Sequence, residues 1–160
     1  MRRENLLDFF QDFAELKGDF LVYDDGFRPR VYTYSETASL ARAFAAHLRS
    51  QGVSKDQKVI FYSENRPEWV VAWWGCLLAG VVAVPIDFRS SAEFVTRIQS
   101  IVDAKLILTG DEVSFPPGEN VWPLSQVSGS EIGHRSACHF PVTADNPLTP
   151  GGEANAAVIA

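Results

Sequence analysis

The feature that most constrains the fold is an alternation of helical and apolar segments between residues 33 and 109. Three segments carry apolar side chains at helical spacing, and each is followed by a short apolar run that is typical of a buried strand. The apolar runs are Lys58 to Tyr62, Val81 to Val84 and Leu106 to Thr109. The alternation predicts an α/β fold with a mostly parallel sheet and helices on both faces.

The boundaries of the three helices are predicted from capping signals. Each helix starts with a pair of residues three positions apart, which is the spacing of a capping box. The pairs are Thr33 with Glu36, Asn65 with Glu68, and Ser90 with Glu93. Gly52 and Gly80 follow the first two helices and are expected to end them in a left-handed conformation. Pro85 is expected to end the strand that begins at Val81.

The segment before the alternation predicts a short helix and a hairpin. Residues 4–16 have apolar side chains at helical spacing, and two short strands, Phe20 to Tyr23 and Val31 to Thr33, flank the turn sequence Asp24-Asp25-Gly26. The predicted organisation is a single incomplete domain. It comprises a helix and hairpin over 1–34, an α/β core over 35–110, a loop-rich segment over 111–155 and the start of a core strand over 156–160.

The loop-rich segment is expected to hold one short strand at Val121-Trp122 and a linker from Asp145 to Glu153. Ala156 to Ala160 is interpreted as the beginning of a core strand, so the chain is expected to be truncated; a natural C-terminal edge strand is the alternative. An unfinished apolar edge invites pairing with another strand, which predicts a homodimer or strand swapping.

Composition and charge exclude several classes of function. The net charge of -6 offers no basic stripe for nucleic acid. Trp69 to Ile86 lacks charge, but Gly80 and Pro85 interrupt it, so a buried helix and strand are favoured over a membrane span. Cys76 is expected to be a buried thiol in a reducing compartment, and no secretion signal is recognised, which predicts a cytoplasmic protein.

The sequence offers few candidates for chemistry. It has no glycine-rich phosphate loop and no serine that is marked as a nucleophile. His134, Cys138 and His139 lack a further ligand at suitable spacing, so no metal site is predicted. The tryptophans of the second helix (Trp69, Trp73 and Trp74) are expected to pack in the core more than to line a pocket.

Two arginines are candidates for binding a phosphate. Arg89 follows the strand that begins at Val81, where open α/β sheets place their ligands, and Arg97 lies in the helix after it. Solvated surface arginines are the alternative interpretation, since exposed arginine is common.

An ordered set of motifs over roughly residues 5–110 resembles the adenylate-forming superfamily, which holds the acyl-CoA synthetases, firefly luciferase and the adenylation domains of nonribosomal peptide synthetases. The match is weaker over 110–150. The motifs are Tyr32-Thr33-Tyr34-Ser35-Glu36, Gly52-Val53, Lys58-Val59, Glu64-Asn65-Arg66-Pro67-Glu68-Trp69 and Ala79-Gly80-Val81-Val82-Ala83-Val84-Pro85-Ile86-Asp87.

The resemblance implies an ATP-dependent ligase. In the family a carboxylic acid attacks the α-phosphate of ATP in the presence of Mg²⁺, and a thiol, usually that of coenzyme A, then takes the acyl group. The family's Ser/Thr/Gly-rich phosphate loop normally follows a strand like Ala156 to Ala160, and it is missing here with the later motifs. No catalytic residue is therefore carried onto this chain, and the chain alone is expected to be inactive.

The resemblance also bears on the two arginines. Members that use coenzyme A place part of its nucleotide near the loop and helix after the Val-Pro-Ile-Asp strand, which makes Arg89 and Arg97 candidates for its phosphates. Fatty and aromatic acids are the expected substrates. Two alternatives stay open: a stand-alone module that binds a nucleotide or a protein without turnover, and an unrelated flavodoxin-like binder.

Overall fold

The alternation expected from the sequence is confirmed in a computed structural model, which describes residues 5–24, 26–27 and 29–127. Its elements are α1 (Leu6–Glu15), β1 (Asp19–Asp24), β2 (Pro29–Thr33), α2 (Tyr34–Ser50), β3 (Lys58–Tyr62), α3 (Pro67–Ala79), β4 (Val82–Ile86), α4 (Ala92–Val102), β5 (Ala104–Thr109), β6 (Val121–Pro123) and a 3₁₀ turn (Leu124–Gln126).

The main sheet has the strand order β4-β3-β5-β6, and its neighbouring strands all pair in parallel. The chain enters at β3, moves to β4 on one side and then crosses back to β5 on the other. Because parallel crossovers are right-handed, this reversal places α3 and α4 on opposite faces of the sheet. The predicted α/β class, with helices on both faces, is confirmed.

The two faces of β3 belong to two separate apolar clusters. Val59 and Phe61 pack with the side chains of α1, α2 and α3, whereas Ile60 and Tyr62 pack with those of α4. Val59 to Tyr62 are all buried. Burial on both faces explains why this strand is continuously apolar and does not alternate with polar residues.

Helices α2 and α3 approach each other closely at a glycine. A Cβ atom added to Gly75 would lie 2.6 Å from Cδ1 of Phe44 and 3.1 Å from the carbonyl oxygen of Ala41. The guanidinium of Arg49 on α2 also donates to the carbonyl of Leu78 on α3. The close contact between the helices thus requires the absence of a side chain at Gly75. The hydrogen bond from Arg49 to Leu78 adds a polar link between the same two helices.

The N-terminal helix and hairpin pack on this helix pair through aromatic rings. β1 and β2 are antiparallel, as predicted, and the side chain of Asp24 accepts a hydrogen bond from the N–H of Gly26 in the turn. Phe13 of α1 contacts rings from three other elements, with centroid separations of 4.7 Å to Phe20, 5.1 Å to Tyr34 and 5.6 Å to Trp74.

Several predicted boundaries are confirmed. Thr33 and Glu36 form the predicted capping box on α2, with each side chain accepting from the other residue's backbone N–H. Gly52 and Gly80 both have positive φ angles, 77° and 72°. The short strand predicted at Val121-Trp122 is β6.

Two predicted boundaries are wrong. Asn65 and Glu68 do not form a capping box, because the N-cap of α3 is Arg66, which makes no side-chain capping bond. Ser90 does not cap α4 either; Ser91 does, by accepting from the N–H of Phe94, whereas the carbonyl of Ser90 accepts from the hydroxyl of Tyr62.

The predicted end of a strand at Pro85 is also wrong. Pro85 lies within β4, opposite Phe61 of β3, and the strand continues to Ile86. In the described sheet β4 is an edge strand, where proline is tolerated because a backbone donor is not needed on the outer side.

Other expectations lie outside the described residues. These include His134, Cys138 and His139, for which no metal site is predicted, and the linker from Asp145 to Glu153. They also include the strand from Ala156 to Ala160 and the dimerisation that it predicts. Within the described ranges, no helix combines the length and the apolar character that crossing a membrane requires.

We expect Gly75→Ala to lower the free energy of unfolding by about 1–3 kcal/mol, because the added methyl group must displace the ring of Phe44 or separate the two helices. Gly118→Ala is the matched control, since its Cβ atom would lie 3.6 Å from Val121, an ordinary contact. Chemical denaturation of both variants measures the difference. Equal stabilities would show that the helices are not in tight contact at Gly75.

Candidate functional site

The carboxyl ends of the parallel strands form the edge of the sheet at which a ligand site is expected. The chain leaves β3 toward β4 on one side and later returns to β5 on the other, so the sheet order reverses between β3 and β5. Open α/β sheets bind ligands in the crevice at such a reversal, beyond the carboxyl ends of the strands. In this chain the crevice lies between the residues after Tyr62 and those after Thr109.

A side chain of the protein itself fills this crevice. The carboxylate of Glu64 accepts hydrogen bonds from the backbone N–H of Asp111 at 3.1 Å and of Glu112 at 3.3 Å. Arg66 donates to the same carboxylate from its NH1 atom at 3.1 Å. Glu64 therefore takes the position and the contacts that an anionic ligand would take at this point of the fold.

Gly110 makes this arrangement possible. A Cβ atom added there would lie 2.0 Å from Oε2 of Glu64 and 2.7 Å from Cβ of Ser63. The N–H of Gly110 donates to the carbonyl of Tyr62, which extends the β3–β5 pairing past the last strand residue. The crevice thus has room for the carboxylate only because residue 110 lacks a side chain.

Arg66 holds three carboxylates around the crevice. Its guanidinium lies 3.1 Å from Glu64, 3.0 Å from Glu68 and 2.6 Å from Asp111. Glu68 is only 1% exposed, so its ion pair with Arg66 is shielded from water. Burial alone would lower the pKa of Arg66, but the hydrogen bonds and charges of Asp111 and Glu68 raise it above its ordinary value, and the guanidinium stays charged.

Sequence reasoning missed this ion-pair cluster. The sequence motifs include Arg66 and Glu68, but their spacing predicts a helix cap for Glu68, and Asp111 falls in the segment predicted to be loop-rich. Glu64 and Asp111 are separated by 47 residues. The signal that was available is topological, because residues that follow two adjacent parallel strands must meet at the same edge of the sheet.

The candidate Arg89 lies in the loop after β4, at the same edge. Its Nε and NH2 atoms donate to the two carboxylate oxygens of Asp87, at 3.1 and 2.9 Å. The guanidinium and the backbone N–H of Arg89 lower the pKa of Asp87. Both side chains are exposed, so the pair is an accessible surface feature whose charge is already balanced.

The candidate Arg97 lies in the second turn of α4 and is exposed. Its guanidinium carbon lies 5.3 Å from the centre of the Phe94 ring, which is a cation–π arrangement. Among the described residues, no carboxylate forms an ion pair with it. The structure does not bring Arg97 into the crevice that Glu64 fills.

The three tryptophans of α3 are half-buried and pack against the core, as predicted. Trp69 and Trp73 stack with centroids 5.3 Å apart, and Phe61 meets Trp69 edge-on at 5.2 Å. Trp69 also lines a mostly apolar groove of about 380 Å³ between β1 and the start of α3. Trp69 therefore packs against the core and also lines a groove at the surface.

Neither the acidic groups nor the cysteine of the described residues forms a metal or nucleophilic site. The residues that the structure describes contain no set of three or more His, Cys, Asp or Glu side chains placed to hold a metal ion. Three carboxylates near the crevice, those of Glu64, Glu68 and Asp111, converge on the single guanidinium of Arg66 and are held there in ion pairs. Burial raises the pKa of the Cys76 thiol, which keeps this free cysteine protonated and unreactive.

Comparison with known proteins identifies the fold and the family. The profile of the AMP-binding enzyme family matches residues 10–148. The chain belongs to this family. The match begins within α1 and covers all the later helices, both sheets and the Glu64 crevice. It confirms the resemblance to adenylate-forming enzymes that the sequence motifs indicate.

Curated relatives of this AMP-binding enzyme chain are ligases. Long-chain-fatty-acid–CoA ligase 1 of Homo sapiens is 30% identical over an alignment of 137 residues, with 77% of this chain and 20% of the human protein covered. The fatty acid–[acyl-carrier-protein] ligase MmaC of Mycobacterium marinum is 34% identical over an alignment of 125 residues, with 74% of this chain and 23% of MmaC covered. The chain spans about a fifth of the length of these relatives.

Solved structures of adenylation enzymes share the fold. The N-terminal subdomain of Klebsiella oxytoca NpsA superposes with a TM-score of 0.64 at 24% identity, covering 76% of this chain and 32% of that one. The O-succinylbenzoate coenzyme A synthetase MenE of Bacillus subtilis, solved with AMP, gives 0.63 at 22% identity, with 74% and 32% covered. This AMP-binding enzyme chain thus has the fold of the part of an N-terminal subdomain that it covers, about a third of the NpsA subdomain.

We expect Arg66→Ala to lower the free energy of unfolding by about 3 kcal/mol or more, because it removes the guanidinium that pairs with the buried carboxylates of Glu64 and Glu68. Arg89→Ala removes an arginine from an exposed pair, where screening by water makes the contribution small, and it serves as the control. Urea denaturation of the two variants makes the comparison. Equal losses would contradict a structural role for the cluster around Arg66.

Proposed function

We propose that this chain is the N-terminal portion of an ATP-dependent acyl-CoA synthetase, and that it has no ligase activity by itself. The complete enzyme converts a carboxylic acid and ATP into an acyl-adenylate and then passes the acyl group to the thiol of coenzyme A. The observation that carries the proposal is the family match over residues 10–148, which covers nearly all of the described structure.

Inactivity of the chain alone is supported by the state of the sheet crevice. The position at which an open α/β sheet would receive a nucleotide is filled by Glu64, whose carboxylate is bound by two backbone N–H groups and by Arg66. The printed sequence also contains no Ser/Thr/Gly-rich segment that ends in Pro-Lys-Gly. In this proposal the chain is a scaffold, and the groups that bind ATP and Mg²⁺ belong to the rest of the enzyme.

Coenzyme A as the acceptor, and a fatty acid as the acyl donor, are supported by the relatives. The human relative is a long-chain-fatty-acid–CoA ligase, and a relative from Metallosphaera sedula, 34% identical over 85 residues (53% of this chain and 16% of that protein), is a 4-hydroxybutyrate–CoA ligase. MmaC uses an acyl-carrier protein, so the choice of acceptor needs a direct test. A cytoplasmic location fits the unpaired, buried thiol of Cys76.

Arg97 and Arg89 are proposed to contact the phosphates of coenzyme A. The geometry favours Arg97 as the stronger contact, because its charge is not paired with a carboxylate of the described residues and its guanidinium is held over Phe94. Arg89 must first leave Asp87, to which it donates twice. A phosphate with a greater charge than one carboxylate could draw Arg89 away.

The proposal is tested by measuring pyrophosphate release with ATP, Mg²⁺, coenzyme A and a panel of fatty and aromatic acids. The assay is run on this chain and on the protein encoded by the complete reading frame. We expect turnover by the longer protein only, because the phosphate loop is needed for the first step. Turnover by this chain would overturn the proposal that it is inactive alone. No pyrophosphate release by either protein would favour the alternative of a stand-alone binding module.

In the longer protein we expect Arg97→Ala to raise KM for coenzyme A about tenfold, which corresponds to the loss of one charge-assisted contact of about 1.4 kcal/mol. KM for ATP should change much less. Lys105→Ala, which removes an exposed charge on β5, is the control. Steady-state kinetics with each substrate varied in turn separate the two constants, and an unchanged KM for coenzyme A would exclude the contact.

A further inference from the structure

The contacts around Glu64 have the composition of an anion-binding site. Two consecutive backbone N–H groups, those of Asp111 and Glu112, point at its carboxylate, and a guanidinium donates from the opposite chain segment. Successive backbone N–H groups that converge on one point form concave sites for anions in many proteins. In this chain the three donors come from two segments that only the β3–β5 pairing brings together.

The position of Glu64 in the fold supports this interpretation. The residue follows the central strand at the reversal of strand order, where a free ligand would ordinarily lie. The residue is 8% exposed, and Gly110 leaves the space that its carboxylate occupies. A side chain that served only to fill space would not need two backbone donors and an arginine.

We propose that Arg66, Asp111 and Glu112 form an anion cradle in which Glu64 acts as an internal ligand, and that the cradle binds a small free carboxylate when this side chain is removed. The cradle comprises the guanidinium of Arg66 and the N–H groups of the other two residues. Its ligand class is a monocarboxylate of the size of acetate. This inference does not depend on the proposed ligase function.

The charges around the cradle allow a free acetate ion to replace the carboxylate of Glu64. In the native chain Arg66 is shared by the carboxylates of Glu64, Glu68 and Asp111. Removing Glu64 takes away one negative charge, and an acetate ion restores the same charge in the same place. The free ion therefore meets no repulsion that Glu64 itself does not already experience, and it satisfies donors that are otherwise left without their partner.

The variant Glu64→Ala tests the cradle directly. It removes Cγ, Cδ and the two carboxylate oxygens, which are the same heavy atoms that acetate supplies. We expect the melting temperature of Glu64→Ala to fall by about 5 °C or more in sodium chloride. At about 0.3 M sodium acetate, with ionic strength matched, at least half of the loss should return, because a ligand that binds only the folded state stabilises it.

Two controls separate binding in the cradle from a general effect of acetate. Glu64→Gln fills the same space but presents an amide that cannot accept from all three donors, so it should be destabilised without recovery in acetate. Glu36→Ala removes an exposed carboxylate that caps α2 and leaves no cavity. Its loss of stability should be the same in both salts.

The size of the anion is the final discriminator. Formate should give partial recovery and trimethylacetate none, because the space left by four heavy atoms does not admit a bulkier ion. Identical melting temperatures of Glu64→Ala in acetate and chloride would overturn the proposal. So would equal recovery of either control variant, or equal recovery by trimethylacetate.

A variant that does not fold in chloride still gives a readout. In that case Glu64→Ala is refolded from urea by dilution into acetate or chloride, and the yield of folded chain is measured by circular dichroism. Acetate should raise the yield of this variant severalfold and leave that of Glu36→Ala unchanged. The same yield in both salts would count against the cradle.

Discussion

Strand β3 is the element on which the rest of the structure depends. It pairs with a parallel strand on each side, and helices cover both of its faces. Val59, Ile60 and Phe61 are buried, and a fully buried side chain of this kind stabilises a fold by about 1.5–3 kcal/mol. The two apolar clusters meet along this strand, so a change that shifts β3 disturbs both faces of the sheet.

The same strand positions the ion-pair cluster. Because β3 and β5 are parallel neighbours, their carboxyl ends bring Glu64 and Arg66 to Asp111 and Glu112. The crevice that other open sheets use for a ligand is here closed by a carboxylate, and Gly110 keeps the space free for it. The end of the central strands thus holds an internal ion-pair cluster, in which a side chain of the protein takes the contacts that a ligand would otherwise make.

Local signals predicted most of the fold. The helical spacing of α2, the cap at Thr33 and Glu36, and the glycines at 52 and 80 act within one or two turns, so they can be recognised without knowledge of the partners. Two of the three boundary errors fall where a long-range contact decides: the carbonyl of Ser90 is held by Tyr62 of the neighbouring strand, and Pro85 is tolerated because β4 lies at an edge. The third is local, since Glu68 pairs with Arg66 two residues away and does not cap the helix with Asn65.

The amino-acid sequence by itself determined the α/β class, the order of the elements and the family, since hydrophobic periodicity and ordered motifs are properties of short segments. Only the tertiary structure decided which side chains meet at the carboxyl edge. Glu64 and the backbone N–H groups of Asp111 and Glu112 are 47 and 48 residues apart, and nothing in either segment alone marks the other as its partner. The physical reason is that the parallel pairing of β3 with β5 creates the contact.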